Sequence, residues 1–247
     1  MTICFVDIEH DKVLHNPQRR EPYLGSLMDI KLKLEEIAGA PCIVQRYTDV
    51  TRHRLERLAV EAILIGGNAT EMDEYEDGAW TELHEIIRSA RWPLLAICGG
   101  HHLVAMAHGA PIEPMRALRP GEPDVTTLSG PGYYKEWAFM PVNITQPDPL
   151  FAGLDPSPVF LEAHYWEVKD LEAGFEALAA SDECAIQVMK QTGKPIYGTQ
   201  FHPECFTEYP HDRRSRLVNL IYPEGHAEAR PDGRTLLANF FRIAGIL

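Results

Sequence analysis

The stretch at residues 94–108, LLAICGGHHLVAMAH, constrains the fold of this 247-residue chain more than any other. Its first four residues form a short apolar run, and apolar residues then recur at helical spacing beyond position 102. The period changes at Gly99 and Gly100, which predicts a buried strand, a tight turn and a helix, with Cys98 at the corner. The α/β hydrolases display their nucleophile on a turn of this kind.

Cys98 is therefore a candidate nucleophile. At a helix N-terminus, the helix dipole and unpaired N–H groups favour a thiolate over a thiol. The alternative is a structural cysteine, because free cysteines are often buried as small hydrophobic residues. Packing alone would not require the glycines that follow Cys98. A catalytic role also needs a general base and an orienting carboxylate from elsewhere in the chain.

The first half of the chain alternates between strand and helix patterns. Apolar, β-prone segments at residues 3–8, 42–47 and 62–65 are separated by segments of helical periodicity, and residues 27–37 and 80–90 form the clearest helices. This alternation predicts an open, mostly parallel sheet with helices on both faces, which is an α/β fold.

The remaining segments predict loops and a more antiparallel C-terminal half. Residues 10–22 are predicted as a solvated loop, and the segment at 111–131 is rich in proline and glycine. Short β-like segments separated by turns occupy residues 134–201. A final helix is expected at 235–243. Before it, residues 208–233 predict a loop insertion, which would be a lid, a partner surface or simply a solvated loop.

Composition excludes several classes of function. The length suits a single domain over residues 1–247. With 23 Lys and Arg against 36 Asp and Glu, the formal net charge of −13 disfavours binding to nucleic acid or anionic membranes. No apolar run approaches the roughly 18 residues of a spanning helix, and the N-terminus has no basic leader, so we expect a cytoplasmic protein. Five scattered cysteines without CxxC spacing predict neither disulfides nor a thiolate zinc site.

Two further glycines follow the strand at residues 62–65. If that strand neighbours the Cys98 strand, the backbone N–H groups of Gly67 and Gly99 could converge on one oxygen and form an oxyanion hole. The alternative is that the GGN sequence, which begins at Gly66, is an ordinary turn.

The base and the carboxylate are expected near the end of the sequence IYGTQFHPE. His202 and Glu204 follow the last predicted strand directly. Two residues apart in an extended segment, their side chains would point the same way. A cysteine, a histidine that takes its proton and a carboxylate that orients the histidine are the groups needed for thiol-dependent acyl transfer.

These motifs resemble those of the class I (triad) glutamine amidotransferases, which carry a cysteine elbow G-x-C-x-G-x-Q and a late H-P-E. Here the elbow is AICGGHH and the late motif is GTQFHPE. The resemblance implies that Cys98 is the nucleophile, His202 the base and Glu204 its orienter. It also implies the family's fold, which is a flavodoxin-like three-layer arrangement.

The resemblance extends to other segments in the same order. IGGN at residues 65–68 is similar to the family's oxyanion turn, FLEAHYWEV at 160–168 to its substrate-contacting S-H-x-x-x-V strand, and DGRTLLANFF at 232–241 to its closing helix. It therefore implies that Gly67 and Gly99 form the oxyanion hole. The positions implied to contact substrate are Gly66, His102, Ala163 and His164.

The chain departs from the family pattern in two places. Ala96 replaces the usual glycine of the elbow, and His102 replaces the glutamine that helps to hold substrate. An imidazole cannot reproduce the paired donor and acceptor of a primary amide, so the substrate is either glutamine or another γ-glutamyl amide. His101, His102 and His108 have no carboxylate or thiolate at metal-ligand spacing, so we predict no metal and no cofactor.

The predicted function is hydrolysis of a γ-glutamyl amide through a thioester, with release of ammonia or an amine. The ammonia would pass to a separate synthase subunit, or the protein would be a free-standing hydrolase. Two alternatives remain open. ThiJ/PfpI-like hydrolases share a similar elbow, but they usually carry histidine where this chain has Gly99, and they lack the late H-P-E. A non-catalytic binding homologue would not be expected to retain all three triad residues.

Overall fold

The computed structural model describes residues 1–126, 129–208, 216–222 and 228–247. The first half contains β1 (Thr2–Asp7), α1 (Asp11–His15), α2 (Pro17–Ala38), β2 (Cys42–Arg46), α3 (Arg52–Arg57), β3 (Val60–Ile65), α4 (Thr81–Ser89), β4 (Leu94–Ile97) and α5 (Gly99–Ala107). The second half contains β5 (Ile112–Pro114), β6 (Glu136–Pro141), β7 (Asn143–Ile144), β8 (Val159–His164), β9 (Trp166–Val168), β10 (Phe175–Ala180), β11 (Val188–Gln191), β12 (Ile196–Thr199), α6 (Arg216–Ile221) and α7 (Asp232–Ile243).

An eight-stranded sheet forms the centre of the fold, in the order β2-β1-β3-β4-β12-β11-β10-β7. The five strands from β2 to β12 are parallel, and β11, β10 and β7 are antiparallel. This arrangement confirms the predicted mostly parallel sheet and its antiparallel C-terminal part. It also places β4 between β3 and β12, so three strand ends meet at the centre of the sheet.

Successive residues of the central strands face opposite sides, as the two-residue period of a strand requires. Phe5 and Leu64 face a core that includes α2 and α7, whereas Val6 and Ile65 face a second core that includes α4 and α5. The near-continuous apolar sequence of these strands follows from burial on both faces. The predicted helices on both faces of the sheet are confirmed.

The prediction of a loop at residues 10–22 is wrong, because α1 and the start of α2 occupy most of it. The Asn16 side chain accepts a hydrogen bond from the backbone N–H of Gln18 at 2.9 Å and caps α2. Pro17 follows in the first turn, where a missing N–H removes no helix bond. A second proline, Pro22, lies inside the helix and obscured this start signal.

Two small antiparallel sheets, β5–β9 and β6–β8, lie outside the central sheet. The predicted insertion at 208–233 includes residues 209–215 and 223–227, which lie outside the described residues, so its role as a lid stays a prediction. Among the parts of the chain that are described, no helix combines the length and the apolar character needed to cross a bilayer.

Candidate active site

Cys98 sits on a strained turn between β4 and α5. Its φ of 51° and ψ of −109° lie in a region that residues other than glycine rarely adopt. A Cβ on Gly100 would lie 2.7 Å from the Ile65 carbonyl oxygen, and one on Gly99 would overlap the Asn68 side chain. The two glycines therefore allow the end of β3 to approach the elbow.

The structure brings Cys98 and His202 together across the turn that follows β3. A Cβ on Gly67 would lie 3.1 Å from His202 Cε1 and 3.3 Å from Cys98 Cβ. His202 follows β12, and its backbone N–H donates to the Leu161 carbonyl at 2.9 Å. Its ring Nδ1 lies 2.8 Å from Glu204 Oε1, in the short helical turn at residues 203–205. An ionised Glu204 accepts this bond and leaves Nε2 to exchange protons.

The environment favours the charged form of His202. Burial alone would lower the pKa of this imidazole, but the Glu204 carboxylate and the Cys98 thiol outweigh it, and the pKa lies well above its ordinary value. The imidazolium carries a proton that a leaving amine can take.

The two glycines of the predicted oxyanion hole line one cavity beside Cys98. Within the described residues, the N–H groups of Gly67 and Gly99 donate to no other backbone or side-chain acceptor. Gly66 is placed differently. A Cβ on Gly66 would lie 2.6 Å from Cζ of Phe5, and the Gly66 carbonyl accepts a hydrogen bond from the Gly100 N–H at 3.1 Å. Among the described residues that line this cavity, Gly66 is absent. Gly66 therefore shapes the turn rather than facing the cavity.

The cavity has a volume of about 910 Å³ and extends from Cys98 to α1 and α2. Ala163 and His164 line it, and their contact with substrate stays a prediction. Lys12 and Tyr23 line it as well, so the segment that was predicted as a loop forms one of its walls. This volume lies at the upper end of the range for small-molecule sites, about 300–1,000 Å³.

Lys33 is a residue near the site that sequence reasoning missed. It is 9% exposed, and its Nζ donates to the backbone carbonyls of Glu204 at 3.3 Å and Phe206 at 3.2 Å. It thereby ties α2 to the turn that carries Glu204. The signal was available, because Lys33 interrupts the apolar face that Ile30 and Ile37 define on that helix.

His102 lines the cavity, but its ring is already engaged. Its Nε2 lies 2.8 Å from the Oε1 of Gln200, and Gln200 Nε2 lies 4.0 Å from Cys98 Sγ. Burial lowers the pKa of His102 to about 4, so the ring is neutral at pH 7. Gln200 was not among the predicted site residues, although it belongs to the late motif GTQFHPE.

His164 belongs to a second buried group of titratable residues. Register pairing of β6 with β8 places Glu136 opposite His164 and Ala138 opposite Glu162. Burial would lower the pKa of His164, but the adjacent Glu136 and Glu162 carboxylates raise it to about 10. Burial raises the pKa of Glu162. The two glutamates come from different strands, so the sequence did not indicate this cluster.

Gly233→Ala is expected to lower the free energy of unfolding by about 2 kcal/mol or more. Its Cβ would lie 2.2 Å from the carbonyl oxygen of Pro203, so α7 must move away from the turn that carries Glu204. Urea denaturation measures the change. Alanine has the higher intrinsic helix propensity, so an unchanged or increased stability would contradict the close approach.

Stability is expected to fall as the pH falls from 6.5 towards 4, in part through His102. Its folded-state pKa of about 4 lies below the ordinary 6.5, so within this window the unfolded chain binds more protons than the folded one. Between pH 7 and 4.5 the wild type should lose about 2–3 kcal/mol more than His102→Gln. Urea denaturation at both pH values gives this difference, and equal losses in the two proteins would contradict the assignment.

The fold and these side chains define an α/β protein with a Cys-His-Glu constellation at the ends of parallel strands. The sequence model of the class I glutamine amidotransferases matches residues 30–214. The chain belongs to this family.

The sequence relatives are consistent with this family, and a solved structure is consistent with the fold. The chain is 36% identical over 126 residues to the glutamine-hydrolyzing GMP synthase subunit of Methanocaldococcus jannaschii, a match that covers 51% of this chain and 58% of the relative. For the corresponding protein of Methanobrevibacter smithii, the identity is 34% over 64% of this chain and 63% of the relative. The chain thus spans about three fifths of these curated relatives. A candidate GMP synthase subunit from Thermoplasma acidophilum shares the fold, with a TM-score of 0.68 and 21% identity over 99% of this chain and 94% of that one.

Proposed function

We propose that this protein hydrolyses the side-chain amide of glutamine and delivers the ammonia to a separate synthase subunit. The observation that carries the proposal is the approach of Cys98, His202 and Gly67 to one another, with Glu204 hydrogen-bonded to the histidine. Family membership supports the choice of an amide substrate, and relatives that are named glutamine-hydrolyzing synthase subunits support both glutamine and the partner.

The reaction would proceed in two halves. Cys98 Sγ attacks the amide carbon, and the N–H groups of Gly67 and Gly99 stabilise the oxyanion that forms. His202 donates its proton to the leaving nitrogen, so the C–N bond breaks, ammonia departs and a thioester remains. His202 then takes a proton from water, the resulting hydroxide attacks the thioester, and glutamate leaves as Cys98 is restored.

A second candidate is hydrolysis of a γ-glutamyl amide larger than glutamine. Two observations favour it: His102 is engaged with Gln200 instead of presenting an amide, and the cavity of about 910 Å³ extends far beyond Cys98 towards α2. In this case an amine would take the place of ammonia as the leaving group.

Intact-mass analysis after exposure to 6-diazo-5-oxo-norleucine, a reactive glutamine mimic, tests the first candidate. A single adduct in the wild type that is absent from Cys98→Ala is the expected result. If no adduct forms while Cys98 still reacts with iodoacetamide, glutamine does not fit the pocket. Amine release from a panel of γ-glutamyl amines would then test the second candidate, and no turnover on either substrate class would contradict both.

The same chemistry supports our proposals for the partner and the compartment. A glutaminase that serves a synthase is expected to turn over faster when the synthase subunit is added, and assays of ammonia release with and without that subunit measure the increase.

The nucleophile must stay a free thiol, which supports a cytoplasmic location. All five cysteines lie in the described part of the chain, where they are buried and none of them forms a disulfide.

A further inference from the structure

We propose that Glu136, Glu162 and His164 form a buried binding site for one divalent transition-metal ion of the zinc type. The site lies between β6 and β8 and borders the cavity through His164, but it includes none of the three proposed triad residues. Nothing in the proposed hydrolysis uses it, and its occupancy can be measured without turnover.

The three side chains present ligand atoms at the separations that a metal ion requires. His164 Nε2 lies 2.9 Å from Glu136 Oε2 and 3.3 Å from Glu162 Oε2, and one ligand atom of each residue lies within 4.8 Å of the others. Ligands of a tetrahedral zinc ion with bonds of about 2.0–2.1 Å lie about 3.3 Å from one another. Small side-chain shifts would therefore admit the ion.

The surrounding hydrogen bonds hold the ligands as metal sites commonly do. His164 Nδ1 lies 2.9 Å from the Trp166 carbonyl and donates to it, so the lone pair of a neutral ring is on Nε2, facing the carboxylates. Glu136 is held in turn by Ser181 Oγ at 2.5 Å and Gln187 Nε2 at 2.6 Å. Support of this kind orients the ligands before the ion arrives.

The strongest argument is the poor satisfaction of Glu162. This residue is 1% exposed, the one contact of its Oε2 is the ion pair with His164 Nε2 at 3.3 Å, and within the described chain its Oε1 has no donor. Among the same residues, the Oε1 atom of Gln187, whose amide nitrogen contacts Glu136, also lacks a donor. Buried acceptors without partners are costly.

A divalent ion would balance the charge of this buried group. Two carboxylates, a neutral imidazole and a divalent cation sum to zero and satisfy Glu162. One imidazole with two carboxylates also suits first-row transition metals.

An ion here would tie β6 to β8 close to the catalytic groups. The Leu161 carbonyl, which precedes Glu162, accepts the backbone N–H of His202 at 2.9 Å. Ala163, which follows Glu162, lines the cavity. The expected consequence is a more stable strand pair beside His202.

The test compares zinc content in the full-length wild type, Glu162→Gln and Glu167→Gln. Each protein is stripped with a chelator, loaded with a small excess of ZnCl₂, desalted and measured by mass spectrometry of the metal. Glu167 is the matched control, because it is 8% exposed and lies near His164 in the chain but pairs with Lys169. All cysteines are intact in the three proteins, so zinc held by thiolates cancels in the comparison.

We expect one more equivalent of zinc in the wild type and Glu167→Gln than in Glu162→Gln. Zinc should also raise the Tm of the first two by roughly 5 °C or more. X-ray absorption at the zinc edge provides a second measurement that needs no variant: nitrogen and oxygen ligands alone are expected for the extra equivalent. Equal zinc in all three proteins, an unchanged wild-type Tm, or a sulfur-ligated ion would overturn the proposal.

Discussion

Replacing Cys98 with alanine is expected to lower kcat for glutamine hydrolysis by at least about 10⁴-fold. The change removes the sulfur that is proposed to attack the amide carbon beside His202, so the thioester could not form on this residue. Residual turnover would come from water held near the oxyanion donors. Continuous measurement of ammonia release gives kcat and KM for the wild type and the variant.

Cys42→Ala is the matched control for this experiment. Cys42 is also a buried free thiol, but it lies on β2 at the far edge of the central sheet. The activity of the Cys42→Ala variant should stay within a few-fold of the wild type. Substantial turnover by a folded Cys98→Ala protein would show that the elbow cysteine is not the nucleophile.

Glu204→Gln is expected to lower kcat by about 10³-fold while the protein remains folded. The substitution removes the charge 2.8 Å from His202 Nδ1, and the new amide could orient the ring in either of two ways. With this carboxylate gone, the pKa of His202 falls from its raised value, because Glu204 is the largest contribution that raises it.

The pH profile separates this role from a merely structural one. Proton donation to the leaving group needs charged His202, so the alkaline limb of kcat/KM should move to lower pH in Glu204→Gln. Glu208→Gln serves as the control. The Glu208 carboxylate lies four residues after Glu204 and pairs with Arg234 at 3.0 Å. The pH profile of the Glu208→Gln variant should therefore match that of the wild type. An unchanged profile in Glu204→Gln would remove this residue from the catalytic group.

Much of the fold could be predicted because the signals are local. The change from a short apolar run to helical spacing at Cys98 marks a strand, a turn and a helix, and the structure has β4 and α5 at these places. Alternating strand and helix patterns predicted the parallel sheet in the same way. Residues 10–22 show the limit of such signals, since the cap at Asn16 and the proline that follows it indicate a helix start, while Pro22 indicates a break.

The geometry of the candidate site could be predicted from local patterns only where the interacting side chains lie close together in the sequence. His202 and Glu204 lie two residues apart, so their proximity is a property of one strand end. Lys33 is different. Its ammonium meets backbone carbonyls beyond residue 203, and that contact depends on how α2 packs against the late turn.

The sequence by itself determined the cysteine elbow, the alternation of strands and helices in the first half apart from residues 10–22, and the late His-Pro-Glu turn. Their signals lie within a few residues, where backbone sterics and side-chain period decide the conformation. Only the tertiary structure decided that His102 engages Gln200, that α2 walls the cavity, and that Glu162 lies beside His164 and Glu136. These arrangements join segments far apart in the chain, and their geometry follows from strand register, helix packing and burial, which no local pattern specifies.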